Sequence, residues 1–161
     1  MSYWDSSLAF RVTPESIDTQ QMTHIHYAFG VIEAGTLAIV PQGGASEWPM
    51  IKRFITAVTT RSSCVKPIIT LGGWVWAQGQ GGMAIWQSAI STEATRAQFA
   101  AQVVAFCRTH GFAGVDLVRD ESEPWSCCGD GFCSQLIISL LCRRHTDGTV
   151  HVMCGIRHSH D

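Results

Sequence analysis

Charge is scarce in this sequence. Only 15% of its 161 residues are Asp, Glu, Lys or Arg, against roughly 25% in an average soluble domain. The 13 acids and 11 bases leave a formal net charge of −2. The bases are scattered, so the electrostatic footprint of a nucleic-acid partner is missing. Long apolar runs are missing as well. The longest, Ile68–Leu71 and Leu136–Leu141, fall far short of the ~20 residues that span a bilayer, which argues against a membrane partner. No charged segment followed by an apolar stretch comes after Met1, so no signal peptide is expected. Tyr3 and Trp4 already read as strand, as though the chain began inside a domain.

What is present is a core-forming composition. Hydrophobic residues make up 46% of the chain, and 161 residues suit one domain with a real interior. Cysteine and histidine are unevenly spread. Cys64 and Cys107 lie in the first 117 residues, whereas Cys127, Cys128, Cys133, Cys142 and Cys154 crowd the rest, together with His145, His151, His158 and His160. Two compositions meet near residue 118. The tail invites a zinc reading, but zinc modules favour paired C-x2–4-C spacing with a second pair downstream. Cys128 and Cys133 barely qualify, and the adjacent Cys127-Cys128 pair does not help, so no metal site and no cofactor are expected. A disulfide cluster is no better supported.

Residues 1–117 alternate between two patterns. Thr23–Ile32 (THIHYAFGVI), Pro67–Leu71 (PIITL) and Phe112–Leu117 (FAGVDL) are uncharged or nearly so and rich in β-branched and aromatic residues, as strands covered on both faces are. Ser2–Trp4 reads as the remnant of an earlier strand. Pro49–Arg61 opens with Pro at a first helical position. Thr92–His110 has a capping Thr92, Glu93 in the first turn, Phe99, Val103 and Phe106 at helical spacing, and Gly111 to close it. Such alternation predicts a parallel α/β sheet, and spacing alone suits a barrel or a doubly wound sheet equally. Gln78–Gly82 (QGQGG) lacks the strand, glycines and immediate helix of a phosphate-binding fingerprint and reads as a flexible loop. His24 and His26 alternate with apolar neighbours and read as satisfied core histidines.

Four segments, in order and suitably separated, resemble glycoside hydrolase family 18. Ser2-Tyr3-Trp4 looks like the end of that family's first barrel strand and Thr23–Phe29 (THIHYAF) like its second. Ile69–Trp74 (ITLGGW) is similar to its third-strand signature of serine, any residue and two glycines, with Thr70 in place of serine. Gly111–Leu117 (GFAGVDL) looks like the opening of its fourth-strand motif, written DxxDxDxE. The likeness is best to fungal chitinases. It covers residues 1–117 and none of 118–161, which are expected to be an unrelated Cys/His-rich tail, disordered or mistranslated; a Val118-Arg119 pair can be encoded by GTRAG, the start of a spliceosomal intron.

The resemblance implies a (β/α)8 barrel of which about four βα units are encoded here, hydrolysing the β-1,4 links of chitin or chito-oligosaccharides, with an extracellular location for the parent protein. Such barrels place their chemistry at the C-terminal ends of the strands. Family 18 is substrate-assisted. The sugar's N-acetyl oxygen attacks the anomeric carbon, the motif's final glutamate is the acid, and the aspartate two residues before it orients the acetamido group and couples to that acid by charge. The two-residue period of a strand puts positions 116, 118 and 120 on one face. Carried over residue by residue, the four acids fall on Ala113, Asp116, Val118 and Asp120. Only Asp116 matches. Asp120 is one methylene shorter than glutamate, and a displacement near 1 Å costs on the order of 100-fold in rate. Glu121 has the right side chain but the wrong parity, needing a bulge to turn inward. Hydrolysis is therefore expected to be feeble or absent. The resemblance places Gly72, Gly73 and Trp74 at the sugar site, Trp74 as a stacking platform or else a core tryptophan, and Tyr3 and Phe29 as pocket lining or else packing.

Four strands cannot close an eight-stranded barrel, which typically needs about 250 residues, and a half-sheet exposes an unpaired edge. The chain is predicted to self-associate in solution, and a monodisperse, cooperatively melting monomer in size-exclusion chromatography and calorimetry would contradict this.

Overall fold

A computed structural model of the chain describes residues 2–79, 81–120 and 151–157. Its frame is a parallel sheet. Strands β1 (Ser2–Asp5), β2 (His24–Ile32), β4 (Lys66–Gly72), β5 (Gly114–Asp120) and β6 (His151–Arg157) lie side by side in that order, and short β3 (Ile39–Pro41) pairs antiparallel with the end of β2. Strands β1, β2, β4 and β5 are the runs read from the sequence, with β1 and β5 reaching beyond the expected Trp4 and Leu117 to Asp5 and Asp120, whereas β6 was not read and lies in the tail expected to be disordered or mistranslated. Strand β5 runs past Leu117 without interruption, and β6 pairs with β5 over all seven of its residues.

The strand order follows the chain order without reversal. A doubly wound sheet turns back at a switch point; a barrel wall does not. This is the arrangement of part of a (β/α)8 wall, which decides between the two architectures that spacing left open. Among the described residues no helix is long and apolar enough to cross a membrane.

Helices α1 (Trp48–Arg61), α2 (Trp74–Gly79), α3 (Gly82–Ile90) and α4 (Glu93–His110) connect the strands. Alternate strand residues supply one half of the core they cover: Ile25 and Tyr27, Ile69 and Leu71, Val115 and Leu117. Phe54 of α1 is fully buried, with ring centroids 5.4 Å from Trp4, 5.2 Å from Tyr27 and 6.4 Å from Phe112. The polar ends of these rings are satisfied, as burial requires. Trp4 Nε1 donates to the Val12 carbonyl at 2.8 Å and Tyr27 Oη to Glu47 at 2.8 Å. Trp86 of α3 stands edge-on to Phe99 of α4 at 5.5 Å.

Helix α4 starts where expected. Thr92 accepts from the Thr95 amide at 3.1 Å, and the Thr95 hydroxyl accepts from the Thr92 amide at 3.1 Å, a reciprocal cap in which threonine does what glutamate or glutamine more often does. Gly111 ends the helix at φ 82°, the left-handed conformation glycine adopts without strain. Cys107, in its last turn, donates to the Gly114 carbonyl at 3.7 Å, and burial pushes its thiol up to about 12.

Three features depart from the sequence reading. The Gln78–Gly82 segment is not simply a loop: Gln78 and Gly79 finish α2 and Gly82 begins α3. Strand β3 and helices α2 and α3 went unread, being short and, in α3, opened by Gly81 with no side-chain cap. Finally, His24 is not a core residue but a half-buried one at the strand entrance, with Nδ1 3.0 Å from the Thr23 hydroxyl. The cysteines from Cys127 to Cys142 and His145 lie outside the described residues.

Replacing Phe54 by Ala removes the ring on which three others pack and is expected to lower stability by about 3–5 kcal/mol; Thr92→Ala, which removes the cap alone, by about 1 kcal/mol. Urea denaturation followed by circular dichroism measures both, and an equal effect of the two would contradict this account of the core.

Candidate active site

The face of the sheet away from the helices carries polar residues at its centre. The parallel register sets Ala28 beside Thr70 and Thr70 beside Asp116, with Tyr3 beside His26 one period lower. Side chains of three strands thereby converge on one carboxylate of a fourth. Asp116 is 1% exposed. Its Oδ2 accepts from Tyr3 Oη at 2.8 Å and from Thr70 Oγ1 at 3.2 Å, and lies 3.1 Å from His26 Nδ1. The Tyr3 and His26 rings pack at 4.5 Å between centroids. A carboxylate taken out of water is costly unless its oxygens are hydrogen-bonded, and this one accepts from two hydroxyls and contacts an imidazole nitrogen.

His26 was expected to be a satisfied core histidine. It is fully buried, but it is a member of the carboxylate cluster and only half satisfied: Nε2 is buried with no hydrogen-bond partner. Sequence reasoning missed it because nothing in a single strand says that position 26 faces position 116; only the register between β2, β4 and β5 does. The signal was parity, since His26, Thr70 and Asp116 each alternate with apolar residues that go to the helix side.

Above the cluster, at the C-terminal ends of β1, β2, β4 and β5, opens a groove of about 730 Å³ lined by Asp5, Ala28, Phe29, Glu47, Gly73 and Val118, among others. Phe29 reaches it through a bulge. Ala28 pairs with Thr70, but Gly30, not Phe29, pairs with Leu71, so one residue of β2 is extra and the strand changes phase there. Gly30 then faces the helix side, where a Cβ would meet Leu71 and Ile69 side chains at 2.9 and 3.3 Å, and Phe29 joins Ala28 on the groove side. The Ala28–Phe29 peptide is cis. Two carboxylates the sequence reading did not single out also line the groove. Asp5 accepts from the Ser7 amide and hydroxyl at 2.8 and 2.7 Å, and Glu47 from Tyr27 and the Gly43 amide at 2.8 and 2.7 Å. Burial, reinforced by its bond to Glu47, holds the Tyr27 phenol well above its ordinary range.

Gly72 and Gly73 are needed for their backbone. Both have positive φ, 110° and 98°, and a Cβ on Gly72 would collide with the carbonyl oxygen of Val118. On Gly73 it would meet the Phe29 ring at 3.3 Å. The pair lets β4 end against β5 and against Phe29 at the groove floor. Of the residues expected at the site, the structure thus brings Tyr3, Thr70 and Asp116 together and sets Phe29 and Gly73 in the groove, with Gly72 closely packed on β5. Trp74 begins α2 directly after Gly73, and Asp120 ends β5 two periods beyond Asp116. Val118, the intervening position, lines the groove with an apolar side chain. Among the described residues no group of three or more His, Cys, Asp or Glu side chains is placed to hold a metal ion.

The sequence model of glycosyl hydrolases family 18 matches residues 1–122. The chain belongs to this family. Over 117 residues it is 29% identical to the protein named probable chitinase 10 of Drosophila melanogaster, a stretch that is 71% of this chain and 5% of that protein. In structure it is similar to a family GH18 chitinase from Cycas revoluta in complex with allosamidin, with TM-score 0.69 and 25% identity over 88% of this chain and 39% of that one. It shares its fold with a chitinase-like agglutinin from Robinia pseudoacacia, TM-score 0.78 at 20% identity over 96% of this chain and 45% of the other. The chain spans less than half the length of each. The sheet described above corresponds to part of a (β/α)8 barrel.

Gly72→Ala, which meets a rigid backbone oxygen at positive φ, is expected to destabilise the fold more than Gly73→Ala, whose new methyl meets only a ring edge. Melting temperatures of the two variants decide the matter, and a milder effect at Gly72 would show that the end of β5 does not press on β4.

Proposed function

We propose that the chain is the N-terminal half of a chitinase-type glycosidase domain that binds β-1,4-linked N-acetylglucosamine polymers in the groove at the strand ends, with hydrolysis crippled in the chain as it stands. The observation that carries this reading is the buried Asp116 carboxylate, held by Tyr3, Thr70 and His26 one strand period before Val118, which lines a groove together with Gly73 and Phe29. Family 18 chemistry uses the substrate's own N-acetyl oxygen as nucleophile, so the protein supplies one acid and the groups that orient and charge-couple to it. In this reading Asp116 is the charge at the base of that line and Asp120 stands in the position of the acid. Tyr3, Phe29, Gly72, Gly73 and Trp74 form the sugar side. An insoluble polymer as substrate puts the place of action outside the cell. The family match that supports this function covers residues 1–122, and residues 151–157 supply a further strand to the sheet.

A second reading, a non-catalytic chitin-binding relative, is favoured by Val118. A side chain of methyl groups lining the groove can neither orient an acetamido group nor couple electrostatically to an acid, while apolar contact with a sugar ring survives. The two readings agree on binding and differ on turnover. Retention on chitin beads, with the chain eluting well after an unrelated protein of its size, is expected. Hydrolysis of a fluorogenic chitobioside is expected at background, and Val118→Asp with Asp120→Glu does not raise it, because the remaining barrel walls are not in the chain. Passage through chitin without retardation would sink both readings, and turnover by the double variant would overturn the architectural argument.

A further inference from the structure

His26 is a buried titratable group at the site to which the functional reading gives no role beyond contact with Asp116. It is fully buried on β2, it contacts Asp116 and Thr70, and it has one nitrogen unpartnered. Its protonation can be worked out from the donors present. An ionised Asp116 only accepts. Tyr3 and Thr70 each hold a single hydroxyl proton, and both are placed to give it to Oδ2. If His26 Nδ1 carried a lone pair, two acceptors would face each other at 3.1 Å. If it carries the proton, the contact is a charge-assisted hydrogen bond, Thr70 need not choose between Oδ2 and Nδ1 at 3.3 Å, and the unpartnered Nε2 is a bare acceptor.

Position 118 supplies the reason such a bond matters. Two carboxylates one strand period apart on the same face cannot both ionise cheaply, so a chain with acids at 116 and 118 settles its charge by sharing protons along the strand. Here position 118 is Val118, and that partner is missing. Among the described side chains, those that face Asp116 from other strands are Tyr3 on β1, His26 on β2 and Thr70 on β4, of which His26 alone can present a ring N–H.

We propose that His26, with its proton on Nδ1, is a positioning residue that orients Asp116 and stabilises the carboxylate through that hydrogen bond, at a site where position 118 offers no carboxyl group to share a proton. The inference rests on the sugar-site reading above. It is tested on the full chain labelled with 15N, by long-range 1H–15N spectra of the imidazoles at neutral pH, with His26→Gln assigning the signals. The expected result is a proton on Nδ1 and none on Nε2. Asp116→Asn abolishes that preference, and Val118→Asp, by adding a second carboxylate to the cluster, moves His26 to the doubly protonated form at a pH where the parent chain has one ring proton. A proton on Nε2 alone in the parent chain, or His26 signals that ignore both substitutions, overturns the proposal. Titration with chitotetraose separates it from the reading beneath it. Saturable binding that shifts the His26 signals supports both, and binding that leaves them unmoved overturns the positioning role but leaves the sugar site standing. No binding, with the expected proton on Nδ1, removes the sugar site and with it the positioning role, leaving the Nδ1–H bond to Asp116 as a structural pair.

Discussion

A negative charge in the middle of a sheet is the constraint on which the rest of this structure turns. Asp116 sits on the interior face of β5 with almost no access to water, and an isolated carboxylate there would be too costly to keep ionised. Its partners come from three other strands, so the charge is tolerable only if β1, β2, β4 and β5 are all in place and in register. The sheet holds the cluster, and the cluster penalises any slip of the sheet: a shift of one residue in any strand would send its contributing side chain to the helix side. Loss of one member of a buried, hydrogen-bonded pair commonly costs about 3–5 kcal/mol, a large share of the total stability of any domain.

The two faces of the sheet divide the work. The helix side is an aromatic and aliphatic layer in which Phe54, Tyr27, Trp4 and Phe112 pack ring against ring, with the few polar atoms capped. The opposite face concentrates polarity at one level of the strands and leaves space above it. Tyr27 links the two: its ring is core and its hydroxyl reaches Glu47 at the edge of the groove. A change in the groove wall at Glu47 is therefore also a change in how a core tyrosine is satisfied.

Much of this was legible in the sequence, and the limits of legibility have physical causes. Strands β2, β4 and β5 announce themselves because a strand buried on both faces has to be an uncharged β-branched run. The helices α1 and α4 are long enough for their periodicity and caps to show. Asp116, Tyr3 and Thr70 could be placed through the family likeness, which carries register information that a single chain does not. His26 could not, because alternation along β2 makes it look like any packed residue until its neighbours across the sheet are known. Helices α2 and α3 escaped because their glycines read as a loop, although Gly82 packs so tightly on Trp76 that a Cβ would sit 2.6 Å from the indole; the glycine marks a close approach, not slack.

The extra residue in β2 has a wider meaning. Before it, even-numbered positions face the groove; after it, the parity is inverted. The aromatic ring at the groove is thus presented by arithmetic, since the length of the strand and not any attraction of the ring for that location determines where it points. Deleting Gly30 would put Phe29 opposite Leu71 and hide the ring on the helix side, whereas deleting Ala28 would leave it at the groove, so the place of a deletion along β2 decides where the ring points.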